Sequence, residues 1–118
     1  MKFKTELQVG VDFETPIDEK YITDLMSKGW VVVGNKQISL YRAKLLESLY
    51  EKGIAKVIGL GKKGINKFVM LLAQFLEDKG EKVEVKQIQF EIRKQKLGEN
   101  EIPLGVIKAI LVLKNEGE

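Results

Sequence analysis

Residues 56 to 69 read KVIGLGKKGINKFV, and the architecture turns on how this stretch is read. Lys56 to Leu60 is a short apolar run of strand length that ends in glycine. Beyond the glycines the spacing changes. Ile65, Phe68, Val69, Leu72, Phe75 and Leu76 recur at intervals of three and four residues as far as Gly80, which predicts a long amphipathic helix with a glycine stop. A strand that passes through a glycine-rich turn into a helix is half of a βαβ unit, so the chain is expected to build helices against a largely parallel sheet.

The same reading extends in both directions. Upstream, Ile38, Tyr41, Leu45, Leu46 and Leu49 line one helical face that Gly53 ends, and Trp30 to Val33 forms another short apolar strand. Trp30 stands beside three valines and is read as core rather than as a base-stacking platform. Before it, Phe3, Leu7, Val9, Val11 and Phe13 alternate as a strand with Thr5 in the remaining slot. Thr15-Pro16 and Asp18 then open a helix carrying Ile17, Tyr21, Leu25 and Met26 up to Gly29. Downstream the period becomes two, with Val83 and Val85 in one phase and Ile88, Phe90 and Ile92 in the other, so a β-bulge is expected at Lys86-Gln87. A polar connection from Lys94 to Asn100 leads to Val106–Leu113, whose continuous apolar character fits a central strand. The expected fold is an α/β, or α+β, two-layer sandwich: a βαβαββ core over 30–115 with an added N-terminal βα unit over 1–29, all one domain of 118 residues.

Composition narrows the chemistry. The chain has no Cys and no His, so zinc, haem and iron–sulfur sites of the usual ligand sets, and Ser–His or Cys–His nucleophiles, are ruled out. Carboxylates remain, yet Asp18-Glu19 suits a helix first turn, Glu77-Asp78 a helix end and Glu99-Asn100-Glu101 a hairpin tip. None makes an acid–base or metal constellation, so the expectation is a protein that is not an enzyme and carries no cofactor and no metal. No apolar run reaches the roughly 20 residues of a membrane helix, and Met1-Lys2-Phe3-Lys4 lacks the pattern of a signal peptide. A cytoplasmic location is therefore expected, and the Lys/Glu richness points to a thermophilic source.

Charge is unevenly distributed. The formal net charge is +3, but residues 1–33 sum to −2, residues 34–96 to +7 and residues 97–118 to −2. Right-handed strand–helix–strand connections would direct the strands ending near Val33, Leu60 and Ile92 toward one rim. The residues that follow them then become neighbours: Lys36 after the first, Lys62 and Lys63 after the second, Arg93, Lys94 and Lys96 after the third. Two of these groups would stand at helix N-termini, where backbone N–H groups already favour anions. The bland alternative for each cluster alone is a solvated surface. Gly59, Gly61 and Gly64 also spell GxGxxG, but Glu84 lies inside the next strand rather than closing it and a hairpin follows instead of a second βαβ half, so a tight turn and close backbone approach explain the glycines better than a dinucleotide.

Gly34-Asn35-Lys36-Gln37-Ile38 through Tyr41, Val57 through Val69, and Val83-Glu84-Val85-Lys86-Gln87-Ile88 together resemble the Alba family of archaeal DNA- and RNA-binding proteins. That family's fold is shared with the C-terminal domain of the third bacterial translation initiation factor. The resemblance implies a dimeric, chromatin-associated binder of DNA or RNA with little sequence preference, whose body lies on the backbone while hairpin arms reach along the grooves. Carried over, Lys36 matches the second lysine of the family's first loop, Lys63 a basic residue of the glycine turn and Lys67 the lysine one helical turn on, while Arg93, Lys94 and Lys96 fall in the arm. Asn35 replaces the lysine that the family acetylates, and Gly61 stands where a second arginine is common. The chain is also similar to the sporulation stage V protein S family in Gly59 to Val69 and Val106 to Leu113, which would imply a regulatory or protein-interaction module instead. Leu40, Met70 and Leu71 are candidate homodimer contacts, the acidic N-terminal unit is a candidate protein-binding surface, and a small nucleotide-binding protein using the Gly59–Gly64 turn is a third reading.

Overall fold

The computed structural model describes residues 6–11, 18–79, 82–97 and 99–114. Its elements run β1 (Glu6–Val11), α1 (Glu19–Ser27), β2 (Trp30–Val33), α2 (Ile38–Lys52), β3 (Ile54–Leu60), α3 (Gly61–Lys79), β4 (Val83–Leu97) and β5 (Asn100–Leu113). This is the mixed α/β order that the periodicities predict, a βα unit followed by βαβαββ. Asp18 caps α1, its carboxylate accepting from the Tyr21 N–H at 2.8 Å. Phe3, Thr5, Phe13, Thr15, Pro16 and Ile17, also assigned to this unit from the sequence, lie outside the described residues.

The sheet has five strands in the order β1-β4-β5-β3-β2. β5 is central and antiparallel to both neighbours, while β2 runs parallel to β3 and β1 parallel to β4. Four strands therefore share one direction and only β5 is reversed. Along β5, Ile107, Ala109 and Leu111 are buried against α2 and α3 and Val106 is buried under α1, whereas Lys108, Ile110 and Val112 on the α1 side are half-buried. The expected bulge lies between Val85 and Gln87.

α2 and α3 cover one face of the sheet. Tyr41, Leu45 and Leu49 of α2 and Phe68, Leu71, Leu72 and Phe75 of α3 pack on Val33, Ala55, Val57, Val83, Val85, Ala109 and Leu111. Arg42 and Asp78 join the two helices as an ion pair. The inner line of α3 is slightly rotated from the sequence expectation: Leu71 is fully buried, so it is not a dimer contact, whereas Val69 is 54 % exposed on the flank.

α1 lies on the other face, where Leu25 packs with Ile58 and Val106 and is flanked by Tyr21, Ile22, Val32, Leu60 and Leu104, with Trp30, read from the sequence as core, half-buried against the same cluster. Crossover handedness accounts for this. The steps from β2 to β3 and from β3 to β4 move across the sheet in one direction, whereas the step from β1 to β2 returns in the other. With one hand for every crossover, the returning helix must take the opposite face. The two-layer core thus carries a partial third layer.

Beyond the level of Leu60, Val106 and Glu91, which are register partners, β4 and β5 continue as a hairpin that leaves β3 behind at once and is flanked by β1 only as far as Ile92, the partner of Val11. The pairs run from Ile92↔Gly105 to Leu97↔Asn100, so most of the stretch expected to be a polar connection is paired strand. At about 3.3 Å per residue the arm projects roughly 20 Å. It also explains a molecule 54 Å long but only 26 and 23 Å across.

The glycine turn is a packing device. A Cβ on Gly59 would lie 2.8 Å from both the Gly64 carbonyl oxygen and Phe68 Cβ, and one on Gly64 would lie 2.8 Å from the Val33 carbonyl oxygen. α3 therefore begins in direct backbone contact with the ends of β3 and β2. Gly61, at φ 71, makes the left-handed turn between strand and helix. Because the obstacle is backbone, Gly64→Ala should cost about 1–3 kcal/mol in denaturant unfolding. Gly105→Ala, whose methyl would meet only the tip of Ile65 at 3.2 Å, should cost clearly less in the same assay.

Candidate nucleic-acid interface

Parallel pairing brings the ends of β2 and β3 to one edge, Val33 standing opposite Gly59. The loop 34–37 and the turn 61–64 follow directly, and the arm rises beside them, with Leu104 Cδ1 3.0 Å from where a Gly61 Cβ would be. The three segments that the sequence places on one rim are thus adjacent. α2 and α3 both start here, so their positive dipole ends face the same side.

Loop 34–37 is held from two helices. The buried Tyr41 hydroxyl accepts hydrogen bonds from the Gly34 N–H at 2.9 Å and the Lys36 N–H at 3.1 Å. From α3, the Lys67 ammonium donates to the Lys36 carbonyl at 2.7 Å. Lys67 is therefore a brace that positions the loop as well as a charge on the rim. The side chains of Lys36, Lys62 and Lys63 are exposed. Tyr41 reads from sequence only as a member of the apolar stripe, because nothing local marks its hydroxyl as the loop's anchor.

Arg93 does not join the exposed set: contrary to the expectation that it reaches along a groove, it is buried against the body. Alternation in β4 turns Gln89, Glu91 and Arg93 toward the α1 face. Arg93 is 8 % exposed and Glu91 7 %. The Glu91 carboxylate accepts from Arg93 Nε at 2.8 Å, Lys108 Nζ at 3.1 Å and Gln89 Nε2 at 2.6 Å. The Arg93 guanidinium also sits 4.7 Å from the centre of the Tyr21 ring. This network pins the base of the arm to α1. Further out, Lys94 pairs across the hairpin with Glu101 at 3.0 Å and stays 40 % exposed. Lys96 stands opposite Glu101 in the register near the tip.

Charge on the rim is therefore concentrated in Lys36, Lys62 and Lys63, with Lys67 bound to the loop and Lys94 shared with an acid. Among the described residues no three carboxylates gather where they could hold a metal ion. Among those residues, too, no helix is long and apolar enough to cross a membrane. No known family model matches the chain, and no curated protein matches it significantly.

The two kinds of ion pair should differ sharply in weight. Glu91→Ala strands the buried Arg93 and the half-buried Lys108 and should cost about 3–5 kcal/mol of unfolding free energy. Glu101→Ala, which removes a solvent-exposed pair, should cost less than about 1 kcal/mol. Urea melts of the two variants beside the parent check this.

Proposed function

We propose that the chain is a non-enzymatic, cytoplasmic nucleic-acid-binding protein that grips the phosphate backbone of DNA or RNA with little regard for sequence. The observation that carries this reading is the meeting of Lys36, Lys62 and Lys63, all exposed, at the edge where α2 and α3 begin and beside a projecting hairpin. Lysine is a compact point charge suited to phosphate oxygens, and the helix N-termini add to the same attraction. Contacts of this kind supply affinity without reading base edges. Lys94 and Lys96 on the arm would continue the track away from the body, while Lys67 keeps the Lys36 loop in place. The resemblance to the Alba family supports the same reading, including a nucleoid-associated setting.

A homodimer belongs to this proposal, since two copies would double the basic edge. Leu40 and Tyr50 on α2, Val69 and Met70 on α3 and Phe90 and Ile92 on β4 are apolar side chains left exposed on and beside the two-helix layer. With Leu71 buried, Val69, Phe90 and Ile92 join Leu40 and Met70 as candidate contacts.

If six to eight phosphates are neutralised per dimer, log affinity for duplex DNA should fall with log salt at a slope of about −5 to −7. Lys62→Glu with Lys63→Glu should abolish gel-shift binding while the circular dichroism spectrum is unchanged. A flat salt response, or undiminished binding by the double variant, rejects the rim. Binding to a mononucleotide alone would favour the glycine turn, and binding to neither would favour a protein-interaction module.

A further inference from the structure

Lys36 stands in the short loop between β2 and α2, and its own peptide groups are held on both sides. Its N–H donates to the Tyr41 hydroxyl at 3.1 Å, and its carbonyl accepts from the Lys67 ammonium at 2.7 Å. The Gly34 N–H donates to the same hydroxyl at 2.9 Å. Both acceptor positions of the phenol oxygen are thereby filled, by N–H groups on either side of Asn35. Gln37 makes no side-chain cap on α2. The loop is instead held from one turn into α2 and from the second turn of α3.

The ring and the hydroxyl of Tyr41 serve different ends. The ring belongs to the apolar core with Leu45 and Leu49, and the residue is only 4 % exposed. For that packing a phenylalanine would suffice, since a buried hydroxyl must be hydrogen-bonded to offset its desolvation. What the hydroxyl adds is a fixed loop. This matters because the exposed Lys36, Lys62 and Lys63 and the braced Lys67 are like charges, and neither α2 nor α3 has an acidic residue in its first turn to offset them. Repulsion drives Lys36 away from the turn 61–64. A neutral hydroxyl opposes that without cancelling the attraction for phosphate, as a carboxylate in the same place would.

We propose that Tyr41 is a positioning residue of the nucleic-acid interface, its hydroxyl holding loop 34–37 so that Lys36 meets a backbone phosphate together with Lys62 and Lys63. The role rests on the backbone grip proposed above and adds to it a group buried behind the contact surface. With the loop ordered before the nucleic acid arrives, binding no longer carries the entropy cost of ordering it. Lys67 shares the hold, but it also adds charge to the edge, so replacing it changes two things at once. Tyr41→Phe removes one oxygen and no charge.

The full chain, Tyr41→Phe, Lys36→Ala and the double variant carrying both changes are titrated with duplex DNA and duplex RNA over a range of salt, and backbone amide exchange is followed in the free proteins. On the duplex that the parent binds, Tyr41→Phe should weaken binding about three- to tenfold and reduce the magnitude of the salt slope by about one unit per copy, as loss of one phosphate contact requires. Lys36→Ala should lower the slope by the same amount. The double variant should bind no more weakly than Lys36→Ala alone, because the hydroxyl acts through that lysine. In Tyr41→Phe the Gly34 and Lys36 amides should lose protection by a larger factor than those of β3 and β5. A hydroxyl that only stabilises the fold gives another pattern: an unchanged salt slope, and losses that multiply in the double variant. That pattern, or binding by Tyr41→Phe equal to the parent's, overturns the proposal while leaving the basic rim intact. A parent that binds neither duplex, or binds with a flat salt response, rejects the rim and the positioning role together.

Discussion

The contact on which the rest of the structure depends is the seating of α3's first turn on the ends of β2 and β3. Three backbone segments meet there with no room for a Cβ on Gly59 or Gly64. Because the helix lies this close, Lys67 on its second turn reaches the Lys36 carbonyl and Gly61 rests against Leu104 of the arm. Strand end, loop and hairpin are thereby locked in one arrangement. Pushing the helix outward by even a methyl group would separate the lysines whose closeness carries the proposed function.

A second constraint acts from the opposite face. α1 is short and only Leu25 of it is buried, so its apolar contribution is small. It gains a specific hold through Tyr21, whose ring lies under Arg93. Glu91 then links Arg93 to Lys108, so that one carboxylate joins β4, β5 and α1. Buried charge of this sort is seldom the most stabilising choice, since desolvation offsets much of the attraction. What it does here is determine where the arm leaves the body. The exposed Lys94–Glu101 pair further out has no such orienting effect.

Much of this was legible from the residues alone. Element order followed from periodicity, because Ile38, Tyr41, Leu45 and Leu49 repeat at helical spacing while Val83 and Val85 alternate, with the bulge visible as a phase slip at Lys86-Gln87. The rim was legible too, through the preference for right-handed crossovers. The extent of the arm was not: Lys94 to Leu97 and Asn100 to Pro103 look polar or broken because a two-stranded hairpin in water has no apolar face to declare. Pro103 suits the strand since it sits where the hairpin is an edge on both sides.

By itself the sequence determined the order of helices and strands outside the arm, where positive charge gathers along the chain, and that no histidine or cysteine is present for chemistry. Only the tertiary structure decided that α1 crosses to the other face, that Arg93 is spent inside while Lys36, Lys62 and Lys63 stay outside, and that Trp30 packs with the cluster under α1 within reach of Lys56 and Lys108. The physical reason is range. Periodicity and turn chemistry act over a few residues, whereas the partners of Arg93 and Trp30 come from distant strands and helices, and which of them meet depends on strand order.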